Sequence, residues 1–181
     1  MFHRFRTAAG EERPWTLLEI VQGRPLRHPS HALFVHFPVA YYLAVLAFDV
    51  ATAARPSPGL VFAGTLLLVG AFAASALAVT TGLVDWWQMV PSSRKRRWAT
   101  RHMLFQLGAF GLFLSAFLLR WPHRHDPSAH VSWLAVEALG ALVLLVGQWL
   151  GGVLVYEMAM RVSTGRRGEP ERLPTGAPGP R

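Results

Sequence analysis

The stretch at residues 59–84, "GLVFAGTLLLVGAFAASALAVTTGLV", decides the fold class, because it contains no charged side chain. A helix that crosses a bilayer needs about 20 apolar residues, and this run is long enough. Lipid offers the backbone no hydrogen-bond partners, so an apolar run of this length is predicted to be a transmembrane helix.

Three further runs are similarly long and mostly apolar, at residues 32–54, 99–121 and 131–156. The whole chain is 52% hydrophobic and only 15% charged, whereas about a quarter of the residues in a soluble domain are charged. The sequence therefore predicts an all-α integral membrane protein, a four-helix bundle. The chain has no cysteine, which excludes disulfides, thiolate metal ligands and cysteine nucleophiles.

The basic residues predict the orientation of the bundle. They concentrate in the connection at residues 85–98 and in the segments before the first span and after the last. Cytoplasmic loops carry the excess of Lys and Arg, so both termini are predicted to be cytoplasmic. This placement accounts for the net charge of +8 without a nucleic-acid partner.

The chain is divided into three parts by composition. Residues 1–30 are predicted to form a cytoplasmic segment with a short interfacial helix over 14–22, residues 31–160 the membrane domain, and residues 161–181 a disordered cytoplasmic tail. No secretory signal precedes the first span, and no internal repeat stands out. Gly140, Gly147 and Gly151 predict close helix packing along the fourth span.

Ionisable residues inside a membrane are costly, and they are therefore the functional candidates. His36 and His102 lie at a similar depth on the first and third spans, which are predicted to be diagonal neighbours. Two such histidines would ligate one haem iron from opposite faces. The alternative is a hydrogen-bonded polar cluster, with Asp85 as a partner, that only fixes helix packing.

Three other groups carry alternative chemistry. His28, His31 and Asp85 would suit a divalent metal ion at the cytoplasmic side, and the loop "HRHDPSAH" at residues 123–130 would suit copper or zinc. Asp49 and Glu137 are expected to form ion pairs with Arg120 or His130, with proton handling as an alternative. No nucleophile with a base and no phosphate loop is present, so an enzyme is not expected.

The stretch "LLEIVQGRPLRHPSHALFVHFPVAYYL" at residues 17–43 resembles the opening of a bacterial family, the domain of unknown function 2231 membrane proteins. The stretches "TTGLVDWW", "RHMLFQL" and "GQWLGGVLVYE" extend the resemblance over residues 14–160. Ala32 departs from the family pattern, which has proline after the second histidine. The resemblance places the following residues on motif positions: His28, His31, His36, Asp85, His102 and Tyr156.

The resemblance implies a four-helix protein of a bacterial cytoplasmic membrane, whose family occurs with Rieske-type or cytochrome partners. Together with the histidines, it leads to the hypothesis of a small redox-associated protein that binds one b-type haem, or a metal ion. In this hypothesis His36 and His102 are the axial ligands, and Asp85 and His31 orient them. The alternative is a structural or accessory membrane subunit without a cofactor.

Overall fold

The computed structural model describes residues 4–6, 12–26 and 28–161. Four of its helical segments are long and apolar enough to cross a membrane, which confirms the predicted all-α membrane fold. The tail predicted to be disordered lies, beyond Arg161, outside the described residues. The predicted orientation stays a prediction. The helices and strands are β1, Arg4–Arg6; β2, Glu12–Pro14; α1, Leu17–Val21; α2, Ser30–Phe34; α3, His36–Ala54; α4, Pro58–Trp87; α5, Arg94–Arg120; and α6, Val131–Tyr156.

The first span consists of two helical pieces, α2 and α3, which meet at Val35. Pro38 lies one turn beyond this junction. Proline has no N–H to donate to the preceding turn, and its ring clashes with the carbonyl four residues before it. The interruption of the helix therefore follows from the sequence "HFP" at residues 36–38.

Serine side chains cap two of the long helices. Ser57 Oγ accepts a hydrogen bond from Leu60 N at the start of α4, where Pro58 occupies the first turn. Ser93 Oγ accepts one from Arg96 N at the start of α5. Such caps satisfy backbone donors that have no partner within the helix. Both helices therefore begin where the sequence supplies a capping hydroxyl.

The segment before the membrane domain contains an ion pair that fixes α1. Arg13 makes two hydrogen bonds to the Glu19 carboxylate, at 2.8 and 2.9 Å. Glu19 also accepts from the backbone of Thr16, which forms a capping box at the start of α1. The Arg13 guanidinium is the main cause that holds the pKa of Glu19 well below its usual range. A helix thus lies within the predicted 14–22 stretch, and its position on a membrane surface stays a prediction.

The four spans form two antiparallel hairpins, α3 with α4 and α5 with α6. The hairpins meet along α3 with α6 and along α4 with α5, so α3 and α5 are diagonal neighbours, as predicted. We call the end that carries residues 28–31, 85–102 and 147–161 the inner end. The end that carries residues 49–64 and 120–137 is the outer end.

The diagonal helices repeat one burial pattern. The buried positions of α3 at 38, 42, 45 and 49 correspond to buried positions of α5 that lie 71 residues later. The corresponding pairs are Pro38 with Ala109, Tyr42 with Phe113, Val45 with Ala116, and Asp49 with Arg120. The same interval relates "HALF" at residues 31–34 to "HMLF" at residues 102–105. The correspondence is one of buried positions, and the expectation of no internal sequence repeat stays a prediction.

The other two spans repeat as well, at an interval of 69 residues. Seven of the nine buried positions of α4 have a buried counterpart in α6 at this interval. The seven pairs are Gly64 with Trp133, Leu68 with Glu137, Ala71 with Gly140, Ser75 with Leu144, Ala78 with Gly147, Thr81 with Leu150, and Asp85 with Leu154. The two hairpins therefore have matching patterns of buried positions, as two halves related by an approximate twofold axis along the bundle would have.

The centre of the bundle marks this pseudo-twofold axis. Tyr42 and Phe113, which are equivalent in the repeat, stack on each other with ring centroids 4.2 Å apart and an interplanar angle of 16°. A stacked aromatic pair contributes about 0.5–1.5 kcal/mol beyond its buried area. Two residues related by a twofold axis can touch only if both lie close to the axis. The contact between Tyr42 and Phe113 therefore indicates that other equivalent pairs on α3 and α5 also lie opposite each other across the axis.

Candidate functional site

At the inner end, His31 is held against α4. Its Nδ1 atom is 2.9 Å from the carbonyl oxygen of Ala78 and 3.4 Å from Thr81 Oγ1. A Cβ atom at Gly82 would lie only 2.7 Å from the imidazole Cε1 atom, so glycine makes room for this ring. The first residue of α2 is tied to α1 by a hydrogen bond from the Ser30 hydroxyl to the Val21 carbonyl.

His102 is held against α6 in the equivalent way. Its Nδ1 atom is 2.7 Å from the carbonyl oxygen of Gly147, and a Cβ atom at Gly151 would lie 3.1 Å from the ring. In both hairpins, the histidine bonds a carbonyl of the partner helix and its ring packs on a glycine four residues later. The predicted close packing along Gly140, Gly147 and Gly151 is confirmed, since each faces an α5 side chain.

The two histidines meet near the axis. The ring centroids of His31 and His102 are 6.4 Å apart, and the ring planes are nearly perpendicular at 85°. A carbonyl accepts only from an N–H, so each Nδ1 atom carries the ring proton and each Nε2 atom keeps a lone pair. The arrangement therefore presents two neutral imidazoles, each with an unprotonated nitrogen suited to ligate a metal.

The structure brings only part of the predicted inner cluster together. His36 and His28 are exposed, and Tyr156 is 89% exposed. Among the described residues, no ring contact or hydrogen bond joins His36 to His102. Asp85 is buried, where it accepts a hydrogen bond from Gln22 Nε2 at 3.1 Å and pairs with Arg161. The histidine beside His102 is thus His31.

At the outer end, Arg120 is fully buried between two carboxylates. Its Nη1 atom donates to Glu137 Oε1 and its Nη2 atom to Asp49 Oδ1, each at 2.9 Å. Nη2 also donates to the Val61 carbonyl oxygen at 2.9 Å. The side chains of all three ionic residues are 0% exposed. Arg120 is therefore the partner of both Asp49 and Glu137, in agreement with one of the two expected pairings.

The two carboxylates are satisfied unequally. Asp49 uses both oxygens, because Trp133 Nε1 donates to its Oδ2 atom at 2.9 Å. Glu137 uses only Oε1, and its buried Oε2 atom has no donor among the described residues. One guanidinium offsets one of the two carboxylate charges. A Cβ atom at Gly64 would lie 2.8 Å from Arg120 Nη2, so this glycine provides space for the guanidinium.

Above this network, the outer loop brings together a third group. Asp126 Oδ2 is 3.0 Å from His123 Nδ1 and 2.8 Å from His130 Nε2. The three ligand atoms all lie within 4.8 Å of one another, which is the spacing of a metal site. The side chains are 37–47% exposed, and the predicted alternative metal loop therefore has three donors at one point.

Comparison with protein families gives one match. The model of the family described as predicted membrane protein, DUF2231, matches residues 27–164. The chain belongs to this family. The resemblance carried by the histidine-proline opening is thus confirmed. No curated protein and no solved structure matches the chain significantly.

Sequence reasoning missed several residues that build these sites. No site role was predicted for Gly82 or Trp133, and His31 was predicted only to orient the ligands. A signal for His31 exists in the spacing. His31 lies seven residues before buried Pro38, and His102 lies seven residues before buried Ala109, so each lies two helical turns before a buried position on the same face of its span.

Proposed function

We propose that this DUF2231 protein binds one b-type haem between His31 and His102 and transfers single electrons in a bacterial cytoplasmic membrane. The observation that supports the proposal is the pair of fixed, neutral imidazoles on opposite sides of the pseudo-twofold axis. The proposal keeps His102 from the sequence hypothesis and replaces His36 by His31 as its partner. Redox or cytochrome proteins of the same membrane would be the electron partners.

The separation of the rings supports the proposal. Metal–imidazole bonds are about 2.1 Å long, and a ring nitrogen lies about 1.1 Å from the ring centre. Two imidazoles on opposite sides of one ion therefore have centroids roughly 6.4 Å apart. The observed centroid distance is 6.4 Å.

The number of ligands favours haem iron over a free ion. Structural zinc and copper sites use three or four protein ligands. Among the described residues, no third His, Asp or Glu atom joins His31 and His102 in a metal-ligand group. Haem needs only two axial ligands, since the porphyrin supplies the other four nitrogens. A haem ligated on both faces leaves no open position for substrate, which suits electron transfer.

The hydrogen bonds of the histidines support the same role. A metal-ligating histidine commonly donates its other ring N–H to a carbonyl, which fixes the tautomer and the ring orientation. Ala78 and Gly147 provide these carbonyls for His31 and His102. Gln106, one turn beyond His102, has a buried Nε2 donor without a partner among the described residues, available to a bound group.

The same hydrogen bonds favour a second candidate, a structural or accessory membrane subunit. In this function His31 only joins the first span to α4, His102 only joins α5 to α6, and neither histidine binds a cofactor. A buried hydrogen bond typically contributes about 0.5–1.5 kcal/mol, which is enough to fix helix packing. The two candidates differ in a simple property, because only the haem protein is coloured.

The test is the visible absorption spectrum of the detergent-purified protein, expressed with sufficient haem, before and after dithionite. We expect a Soret band, sharp low-spin bands after reduction, and one haem per chain. His31→Ala and His102→Ala should each lose these bands, whereas His36→Ala, at an exposed position, should keep them. A colourless parent protein, or bands that persist in both pair variants, would support the structural subunit instead.

A further inference from the structure

The outer loop contains a metal-ligand arrangement that does not depend on the haem proposal. His123, Asp126 and His130 are spaced three and four residues apart at the turn between α5 and α6. The two imidazole nitrogens converge on a single carboxylate oxygen, at 3.0 and 2.8 Å. Two nitrogens and one carboxylate oxygen form a ligand set that suits Zn²⁺ and Cu²⁺.

The loop that holds these ligands is fixed to the rest of the bundle. Thr52, near the end of α3, accepts a hydrogen bond from Ala129 N through its hydroxyl, at 2.9 Å, and one from Ser128 Oγ through its carbonyl, at 3.1 Å. The Pro127 carbonyl accepts from Ser57 N at 2.6 Å. Three bonds across three consecutive loop residues give the ligands a defined backbone, which lowers the entropy cost of binding an ion.

The rings of the cluster are also oriented by packing. His130 stacks on Trp133 with centroids 4.4 Å apart and an angle of 19°, and His123 lies 4.5 Å from the His130 ring. Trp133 is itself fixed by its hydrogen bond to buried Asp49. Aromatic support of this kind holds the ligand rings in place, as the packed surroundings of metal sites do.

We propose that His123, Asp126 and His130 bind one divalent transition-metal ion, Zn²⁺ or Cu²⁺, at the outer end of the bundle. In the metal-free protein, His123 Nδ1 and His130 Nε2 share the Asp126 oxygen by hydrogen bonding. A metal ion binds an unprotonated ring nitrogen, so on binding any proton on these two nitrogens passes through water to the other ring nitrogen or into the solvent, and the ion takes the position between the three atoms. The partly exposed side chains leave a fourth position open to water or to an external ligand.

The loop contains its own control. His125 lies in the same turn and is exposed, but it stacks on Phe62, at 5.0 Å, and is not part of the cluster. A His125→Ala variant therefore removes an imidazole from the loop without removing a ligand. Because the ligands are exposed, their substitution is not expected to unfold the bundle, and the thermal midpoint of each variant checks this.

The experiment is calorimetric titration of the full-length, detergent-purified protein with Zn²⁺ or Cu²⁺ alone. The metal content after dialysis is measured in parallel. We expect one equivalent in the parent, the same in His125→Ala and His102→Ala, and at least about a 10-fold weaker affinity in His130→Ala and Asp126→Asn. No binding by the parent, or binding that these two variants leave unchanged, would overturn the proposal. His102→Ala removes a ligand of the proposed haem and no ligand of the outer metal ion. A failure of the haem proposal can therefore be distinguished from a failure of the metal proposal.

Discussion

The inner and outer ends of the bundle use equivalent positions of the repeat for opposite purposes. At the inner end, the equivalent residues are two histidines, His31 and His102, which have the same chemistry and no bond to each other. At the outer end, the equivalent residues Asp49 and Arg120 have opposite charges and bind each other directly. Two identical ligands on opposite sides of an axis can both bind one group that lies between them. Two side chains of opposite charge neutralise each other, and their ion pair stabilises the fold.

This comparison separates stability from binding. Substitutions in the outer network should lower the free energy of unfolding and leave the inner ligands intact. Substitutions in the inner pair should change cofactor binding more than stability. The following predictions are ordered from the largest expected effect to the smallest.

Arg120→Leu should have the largest effect. It leaves the buried carboxylates of Asp49 and Glu137 without their cation, and removal of one partner of a buried ion pair typically costs about 3–5 kcal/mol. Thermal or denaturant unfolding in detergent measures the loss. Arg124→Leu, a change of the same kind in the loop, should remain within about 0.5 kcal/mol of the parent. An equal decrease in the free energy of unfolding for both variants would refute the stabilising role of the buried Arg120 ion pairs.

Asp49→Asn and Glu137→Gln should differ although the chemical change is the same. Asp49 accepts from Arg120 and Trp133 with separate oxygens, so an amide turns its NH₂ group toward one donor and should cost about 1.5–3 kcal/mol. Glu137 accepts with one oxygen only, so an amide keeps that bond and should cost less than about 1 kcal/mol. Unfolding of the two variants in parallel measures the difference. A larger loss for Glu137→Gln would contradict the unequal roles.

Gly82→Ala tests the inner end without removing a ligand. The new Cβ atom would lie 2.7 Å from His31 Cε1, and overpacking of this kind typically costs about 1–3 kcal/mol. The ring must shift, so the haem content should fall as well. Gly111→Ala is the control, because no atom lies within 4 Å of its Cβ position. A Gly82→Ala protein with the stability and haem content of the control would show that His31 does not depend on this contact.

The smallest effect is expected at the Arg13–Glu19 pair, which resembles the buried Arg120 pairs but lies before the membrane domain. The folded-state pKa of Glu19 is depressed, so its contribution is present above the ordinary value of 4.5 and decreases as the pH falls below it. Amide exchange of residues 17–22 should therefore become faster relative to the intrinsic rate at pH 3 than at pH 7. Glu19→Gln should remove that pH dependence, and an unchanged dependence would argue against the ion pair.

The sequence predicted the fold well because membrane insertion depends on a simple, local property. Apolar length identified all four spans, and short connections placed α3 and α5 on a diagonal. Arg120 was one of two predicted partners of Asp49 and Glu137, with His130 as the other, since ionisable groups at a similar depth in lipid have few other partners.

The ligand pair could not be selected by depth alone. The depth of a residue in the membrane shows on which helical turn it lies, but not which face of the helix its side chain occupies. His36 is exposed and lies two positions before Pro38, the first buried residue of α3. The repeat at an interval of 71 residues would have selected His31, because it pairs "HALF" with "HMLF". Only two identities besides the histidine carry that signal in these segments, and it is easily overlooked.

The central claim, two imidazoles on one iron, is tested most directly by electron paramagnetic resonance of the oxidised, detergent-purified protein. The nearly perpendicular ring planes of His31 and His102 predict a strongly anisotropic low-spin ferric signal from one haem per chain. The signal should disappear in His31→Ala and persist in His36→Ala. A protein without a low-spin ferric signal, or a signal that survives His31→Ala, would contradict the proposed site.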